Sequence, residues 1–209
     1  MKWIVLVYIY RPGGIVKYKK HTFDTKKQAE DFRNKLKSAS EMYSVSYKKE
    51  SVMEEIRILD ACCGSRLFWF DRNEKHTTFM DVRQEKFEIH NKKVNVDPDV
   101  IGDFRDMPFE DNTFNLVVFD PPHLKQAGAN SIMKAQYGLL DKITWSEDLA
   151  KGFEECMRVL KVGGTLVFKW SDCQINVKEV LKAIPFKPLF GQQRGTTHWM
   201  TFVKFEERE

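Results

Sequence analysis

The sequence predicts an α/β protein: a doubly wound, mostly parallel sheet with an antiparallel edge, preceded by a small ββαβ module. Three observations carry this expectation. Beyond residue 55, short apolar runs alternate with stretches of helical spacing, the pattern of a parallel sheet wrapped by helices. Four of those runs deliver an aspartate at their carboxyl ends, Asp60, Asp81, Asp103 and Asp120, and in an open parallel sheet those ends line one crevice. Residues 1–50 hold twelve Lys and Arg against five Asp and Glu, a net +7, whereas the whole chain carries +4, so residues 51–209 sum to −3. The expected domains are therefore 1–50 and 51–209.

At 209 residues the chain is long enough for one medium α/β domain with a small appendage. Its 42% hydrophobic and 31% charged composition is that of a soluble globular protein, and no run of about 18 apolar residues exists, so no membrane partner is expected. The start, Met1 to Tyr8, is too short and too β-branched for a signal peptide. Cys62, Cys63, Cys156 and Cys173 make no C-x-x-C pair and have no His at ligand spacing, so no metal site is expected. A reducing cytoplasm is the simplest compartment.

In the first module, residues 2–10 and Ile15 to Phe23 read as strands around a Pro12-Gly13-Gly14 turn. Asp24-Thr25 offers an N-cap to a helix through Lys37, with Ala29, Phe32 and Leu36 on one face, and Met42 to Tyr47 returns to strand alternation. A basic module beside a slightly acidic one fits a polyanion-docking appendage on an enzyme; solvated lysines on a small domain would give the same count.

In the second, Ile56 to Leu59 reads as a strand ending in the loop Asp60-Ala61-Cys62-Cys63-Gly64-Ser65. Thr77 to Met80 and Asp99 to Gly102 follow as strands, ending in Asp81 and Asp103. A fourth, Asn115 to Phe119, is apolar enough to be buried on both faces. Helical spacing of Leu149, Phe153, Cys156, Met157 and Leu160 predicts a helix from an N-cap at Ser146, stopped by Lys161-Val162-Gly163-Gly164. Thr165 to Trp170 is a fifth strand, Asn176 to Ala183 a helix, and Lys187 to Phe190 with His198 to Phe205 a terminal strand pair.

The fourth strand runs into Asp120-Pro121-Pro122-His123. Each proline fixes φ and restricts the residue before it to extended backbone, so the Asp120 carboxylate and the Pro121 carbonyl are presented as two preset acceptors. Two rigid acceptors suit a group with two donors, such as NH2. A strand followed by a proline turn, with a solvated or capping aspartate, is the plainer alternative.

Together these residues resemble the class I S-adenosylmethionine-dependent methyltransferases, over residues 55 to about 205. The Asp60 to Ser65 loop resembles the family's first motif as seen in amino-methyltransferases, with Gly64 as its central glycine and Arg66 where a further glycine is usual. Gly102 to Phe114 is similar to the family's G-D-A-x-x-L-P-F-x-D-N-S-F-D, and Arg158 to Gly164 to its R-V-L-K-P-G-G. The resemblance implies a Rossmann-like, seven-stranded methyltransferase fold with S-adenosyl-L-methionine as cofactor. It implies that Asp60, Ala61, Cys62 and Gly64 approach the methionine part, that Asp81 binds the ribose hydroxyls, and that Asp103 with the Phe104 N–H binds adenine. Cys62 and Cys63 are expected to pack rather than to act as nucleophiles.

The Asp120-Pro121-Pro122-His123 stretch resembles the D-P-P motif of enzymes that methylate planar nitrogens. There the carboxylate and the Pro121 carbonyl would accept both amine hydrogens and free the lone pair for in-line attack on the sulfonium methyl, without a metal. His123 stands where an aromatic residue usually stacks on the target base, and stacking is its expected role. The implied reaction is methyl transfer to an exocyclic amine of a nucleic-acid base, DNA adenine N6 or cytosine N4; an RNA base enzyme and a silent binding protein that keeps the fold are the alternatives. Leu124 to Trp145, without clear periodicity, is expected to be a loop that orders on substrate, and Gly191 to Trp199 either a second substrate wall or an ordinary edge hairpin.

Overall fold

The computed structural model describes residues 2–11, 14–37, 43–50 and 55–206. The chain divides into two compact units, Met1–Glu55 and Ile56–Glu209.

In the first unit β1 (Lys2–Arg11) pairs antiparallel with both β2 (Gly14–Phe23) and β3 (Tyr43–Glu50), giving the sheet order β2-β1-β3. Pro12 and Gly13 of the expected turn, and Met42 at the start of the expected third strand, lie outside the described residues. The helix α1 (Lys26–Lys37) starts from a reciprocal cap: the Gln28 N–H donates to Thr25 Oγ1 and the Thr25 N–H to Gln28 Oε1, each at 3.2 Å. Its apolar stripe buries Ala29 beside Val5 and sets Phe32 against Phe23, ring centroids 5.1 Å apart.

The second unit is built on β4 (Ile58–Asp60), β5 (Thr77–Asp81), β6 (Glu85–Ile89), β7 (Lys92–Val96), β8 (Val100–Ile101) and β9 (Phe114–Phe119). Then come α2 (Ile132–Tyr137), α3 (Trp145–Val159), β10 (Leu160–Ser171), α4 (Val177–Ala183), β11 (Phe190–Arg194) and β12 (Thr197–Val203). Seven of these strands form one sheet in the order β11-β12-β10-β9-β4-β5-β8. From β10 to β8 the pairing is parallel, and β12 runs antiparallel to both β10 and β11. Strand order reverses between β4 and β9, so a crevice opens beyond their carboxyl ends, at Asp60 and Asp120. The central strands are apolar because both faces are covered: Phe119, Phe153 and Phe168 are fully buried, and Phe153 on α3 lies 5.5 and 4.8 Å from Phe119 and Phe168.

Several details differ from the sequence expectation. The crossover from β4 to β5 carries no helix: residues 61–76 are turns, rich in the turn formers Gly64, Asp71 and Asn73. Between β5 and β8 lies the hairpin β6–β7, turning at His90 and Asn91 with φ +49° and +59°. The helix α3 begins after Thr144, and Ser146 lies within it. Its start is held by Asp141, whose Oδ1 accepts from the Ile143 and Thr144 N–H groups at 2.7 and 3.0 Å. Leu160 already belongs to β10, and Lys161 to Gly164 form an irregularity inside that strand, the register shifting between Leu160 and Thr165. The strand β11 starts at Phe190 rather than Lys187, so Gly191 to Trp199 is the edge hairpin of the sheet.

Candidate active site

The first loop is shaped by what its backbone must satisfy. The Ala61 N–H donates to Val118 O (2.9 Å) and the Cys63 N–H to Met80 O (2.8 Å), so the chain leaving β4 stays wedged between β9 and β5. Gly64 takes φ +48°, which aims its N–H at Asp81 Oδ2, 2.9 Å away. Asp60 is buried; Oδ1 accepts from the Cys62 N–H at 3.2 Å and Oδ2 from Trp69 Nε1 at 2.6 Å. Burial pushes the Asp60 carboxyl up to about 7, opposed by those two hydrogen bonds and reinforced by the nearby Asp120 and Asp81. The Cys62 and Cys63 thiols are pushed up by burial as well, which favours their protonated form.

Beyond this loop lies a cavity of about 430 Å³, within the range of small-molecule sites. Of the residues that the sequence assigned to the cofactor, Ala61, Cys62, Asp81, Asp103 and Phe104 line it, together with Pro122 of the proline motif. Asp81 is held on both oxygens: Oδ2 by Gly64, and Oδ1 by the Arg83 N–H at 3.0 Å and its guanidinium Nε at 3.2 Å. Asp103 is gripped by Arg105, with Nη2 to Oδ2 at 2.6 Å, and these bonds hold its carboxyl below the usual carboxylate range. Phe104 meets Phe119 edge-on at 5.4 Å, and it can approach α3 only because Gly152 has no side chain; a Cβ there would stand 2.6 Å from the Phe104 ring. The two stretches of the sequence that resemble family signatures meet at Arg158, which donates to the carbonyls of Met107 (3.0 Å) and Phe109 (2.8 Å) and to Asp111 (2.8 Å). That clamp fixes the segment that carries Asp103 and Phe104.

Asp60, Cys62, Gly64 and Asp120 border a second, much smaller recess of about 20 Å³, which shares Cys62 and Tyr137 with the larger cavity. Asp120 is only 8% exposed, and its Oδ2 accepts from Lys169 Nζ at 2.6 Å. Burial raises its carboxyl above the ordinary value, and the Lys169 charge and hydrogen bond oppose that push. Pro121 is buried and Pro122 half-buried. His123 is 4% exposed; its ring packs on Tyr137 at 5.4 Å and on Trp170 at 6.4 Å, and its Nε2 has no hydrogen-bond partner among the described residues. Burial, then the charge of Lys169, lowers its basicity.

Lys169, Tyr137, Arg83 and Arg105 escaped the sequence reading. Lys169 follows Phe168 as Asp120 follows Phe119, and Phe168 and Phe119 are register partners on adjacent parallel strands. Its place beside Asp120 is legible only once that register is known. Arg83 and Arg105 each stand two residues after a strand-end aspartate, a spacing that was visible. Tyr137 ends α2, inside the segment expected to be a substrate-ordered loop. That segment is instead pinned: Arg83 Nη1 and Nη2 donate to Ala135 O (3.1 Å) and Gln136 O (3.2 Å), and Gln174 Oε1 accepts from the Lys125 and Gln126 N–H groups at 2.7 and 3.1 Å.

No family model matches the chain, and no curated protein is similar to it. Among solved structures it is similar to the PH0226 protein of Pyrococcus horikoshii, with a TM-score of 0.50 and 14% identity over 87% of this chain and 92% of that one. A Leishmania major S-adenosylmethionine-dependent methyltransferase gives a TM-score of 0.42 and 14% identity over 83% and 70% of the two chains. One from Methanosarcina mazei gives 0.43 and 13% over 74% and 95%. At these identities the likeness is one of fold. With its mostly parallel seven-stranded sheet, the second unit has an α/β, Rossmann-like fold. Among the described residues no helix is long and apolar enough to cross a membrane.

Proposed function

We propose that this chain transfers a methyl group from S-adenosyl-L-methionine to an exocyclic amine of a nucleic-acid base, DNA adenine N6 or cytosine N4. The observation that carries the reading is the place of Asp120: a buried strand-end carboxylate, followed by two prolines, bordering a small recess that shares Cys62 and Tyr137 with a cofactor-sized cavity.

The donor set fits the cofactor. Asp81 would offer carboxylate oxygens at the cavity wall to ribose hydroxyls, Asp103 and Phe104 line the part that would take adenine, and Ala61 and Cys62 line the same space. When bound there, S-adenosyl-L-methionine supplies an electrophilic sulfonium methyl. Asp120 and the Pro121 carbonyl would accept the two hydrogens of the amine, draw its nitrogen towards tetrahedral geometry and stabilise the positive charge that grows on it. Attack on that methyl would form the N–C bond as the C–S bond broke, S-adenosylhomocysteine leaving, and Asp120 would take the proton from nitrogen and pass it to solvent. The net +7 of residues 1–50 supports a role for the first unit in holding the phosphate backbone.

The test is transfer of labelled methyl to DNA, RNA and protein in parallel, followed by nucleoside mass spectrometry, with Asp120→Ala beside the wild type. The expected result is N6-methyladenine or N4-methylcytosine from DNA, abolished in Asp120→Ala, with cofactor affinity by calorimetry changed by less than about threefold. Label confined to RNA or protein, or unchanged turnover in Asp120→Ala, refutes the reading.

A further inference from the structure

The Asp120 carboxylate, which borders the recess, is held by a cation from the next strand. Lys169 Nζ donates to its Oδ2 at 2.6 Å, and the same nitrogen stands 5.4 Å from the Tyr137 ring, 5.8 Å from Phe68 and 5.9 Å from Trp199, within cation–π range of all three. Phe68 and Trp199 pack on each other at 4.9 Å, so these rings form a continuous wall, and the Lys169 side chain is 21% exposed. An ammonium carries three donors, of which Asp120 engages one. Held between a carboxylate and three aromatic rings, its position is over-determined.

We propose that Lys169 is a specificity-determining residue: with Asp120 it forms a fixed donor–acceptor couple that selects a neutral, planar amine with a hydrogen-bond acceptor on the neighbouring ring atom. This inference rests on the base-amine reading above and narrows it. The Watson–Crick edges of adenine and cytosine carry this pattern, the amine lying beside N1 in adenine and N3 in cytosine. Guanine sets a donor, N1–H, beside its amine on the Watson–Crick edge, so approach by that edge would meet the lysine donor to donor; its one adjacent acceptor, N3, lies on the opposite side of the amine. A cationic amine, such as a protein lysine or arginine side chain, would meet the Lys169 charge at contact distance in a poorly solvated recess and be repelled. The recess holds only about 20 Å³ as it stands, so a base would enter only if its lining moved; Phe68 and Tyr137 belong to that lining, and their rings would then be at hand to cover its faces.

The experiment removes the acceptor from the substrate and the donor from the protein, separately and together. Single-stranded oligonucleotides carrying adenine, 1-deazaadenine, cytosine or 3-deazacytosine are methylated by the full-length wild type, Lys169→Met and Lys169→Arg, with cofactor calorimetry as the check that each variant is folded. Wild type is expected to prefer the natural base over its deaza analogue by about tenfold or more in kcat/KM, because a site built to bond a substrate group rejects the analogue that lacks it. Lys169→Met is expected to lose that preference while binding cofactor as wild type does, and Lys169→Arg, which keeps donors, to retain most of it. An equal preference in wild type and Lys169→Met overturns the role of Lys169 and leaves the base-amine reading standing. Absence of transfer to either natural base by the wild type overturns both.

Discussion

Replacing Gly64 by alanine tests how tightly the first loop is built. A Cβ at this position would lie 2.8 Å from the backbone oxygen of Gln136. Backbone cannot rotate away as a side chain would, so either the loop or the end of α2 must give. At φ +48° an alanine also sits in the left-handed region, at a cost of about 1–2 kcal/mol. Retreat of Gln136 would stretch its 3.2 Å bond from Arg83, and retreat of Gly64 its 2.9 Å bond to the buried Asp81; weakening one such charged hydrogen bond costs about 1–2 kcal/mol more. The sum is about 2–4 kcal/mol. Guanidinium melts of the full chain, followed by tryptophan fluorescence, measure it, with Gly128→Ala as the companion variant because no atom lies within 4 Å of a Cβ there. Gly128→Ala is expected to change stability by less than about 0.5 kcal/mol. If Gly64→Ala falls in that same range, the loop is not locked to α2 and Asp81 as described.

Two further perturbations probe neighbouring parts of the site. Arg83→Ala removes both the cationic partner of Asp81 and the two bonds that hold the end of α2; it is expected to destabilise the protein by about 3–5 kcal/mol and to speed proteolysis within residues 124–145, and cleavage at the wild-type rate would count against the clamp. The raised carboxyl of Asp60 makes stability depend on pH with a definite sign: the folded state binds this proton more tightly than the unfolded chain, so stability is to fall as pH rises from about 4 to about 7 and then level off. Asp120, which faces Asp60 and is held by Lys169, is raised by burial as well, so the slope is shared between these two carboxyls, while Cys62 stays neutral over this range. In denaturant midpoints taken across pH 5–8, Asp60→Asn is to show a shallower slope than wild type; parallel slopes would mean that Asp60 does not titrate in this window.

The strands of the second unit were legible because burial on both faces writes continuous apolar runs, and the acids at their ends marked the crevice. Less legible was whatever depends on partners distant in sequence. The expected N-cap at Ser146 followed a local rule, but the helix starts earlier, after Thr144, out of a turn whose Ile143 and Thr144 N–H groups are held by Asp141. The β6–β7 hairpin was present as alternation in Phe87, Ile89, Val94 and Val96 around His90-Asn91, yet the expectation of a helical crossover hid it. The clearest case is the segment from Leu124 to Trp145: its own pattern is weak because its order comes from outside, from Arg83 on β5's exit loop and Gln174 after β10.

The four strand-end acids also show why Lys169 is where it is. Asp81 and Asp103 take their cations from the same segment, Arg83 and Arg105, each two residues on and within 3.2 Å. Asp60 takes backbone and indole donors instead, has no cationic partner among the described residues, and is the acid pushed up to about 7. Asp120 cannot use the local solution, because the position two residues on is Pro122 and neither proline has an N–H to offer. A carboxylate that rigid and that buried needs a cation from elsewhere if it is to stay ionised; of the two parallel strands beside β9, β4 ends in another acid, Asp60, and β10 delivers Lys169. The prolines after Asp120 thus exclude the local solution used at Asp81 and Asp103, and the balancing charge comes from β10.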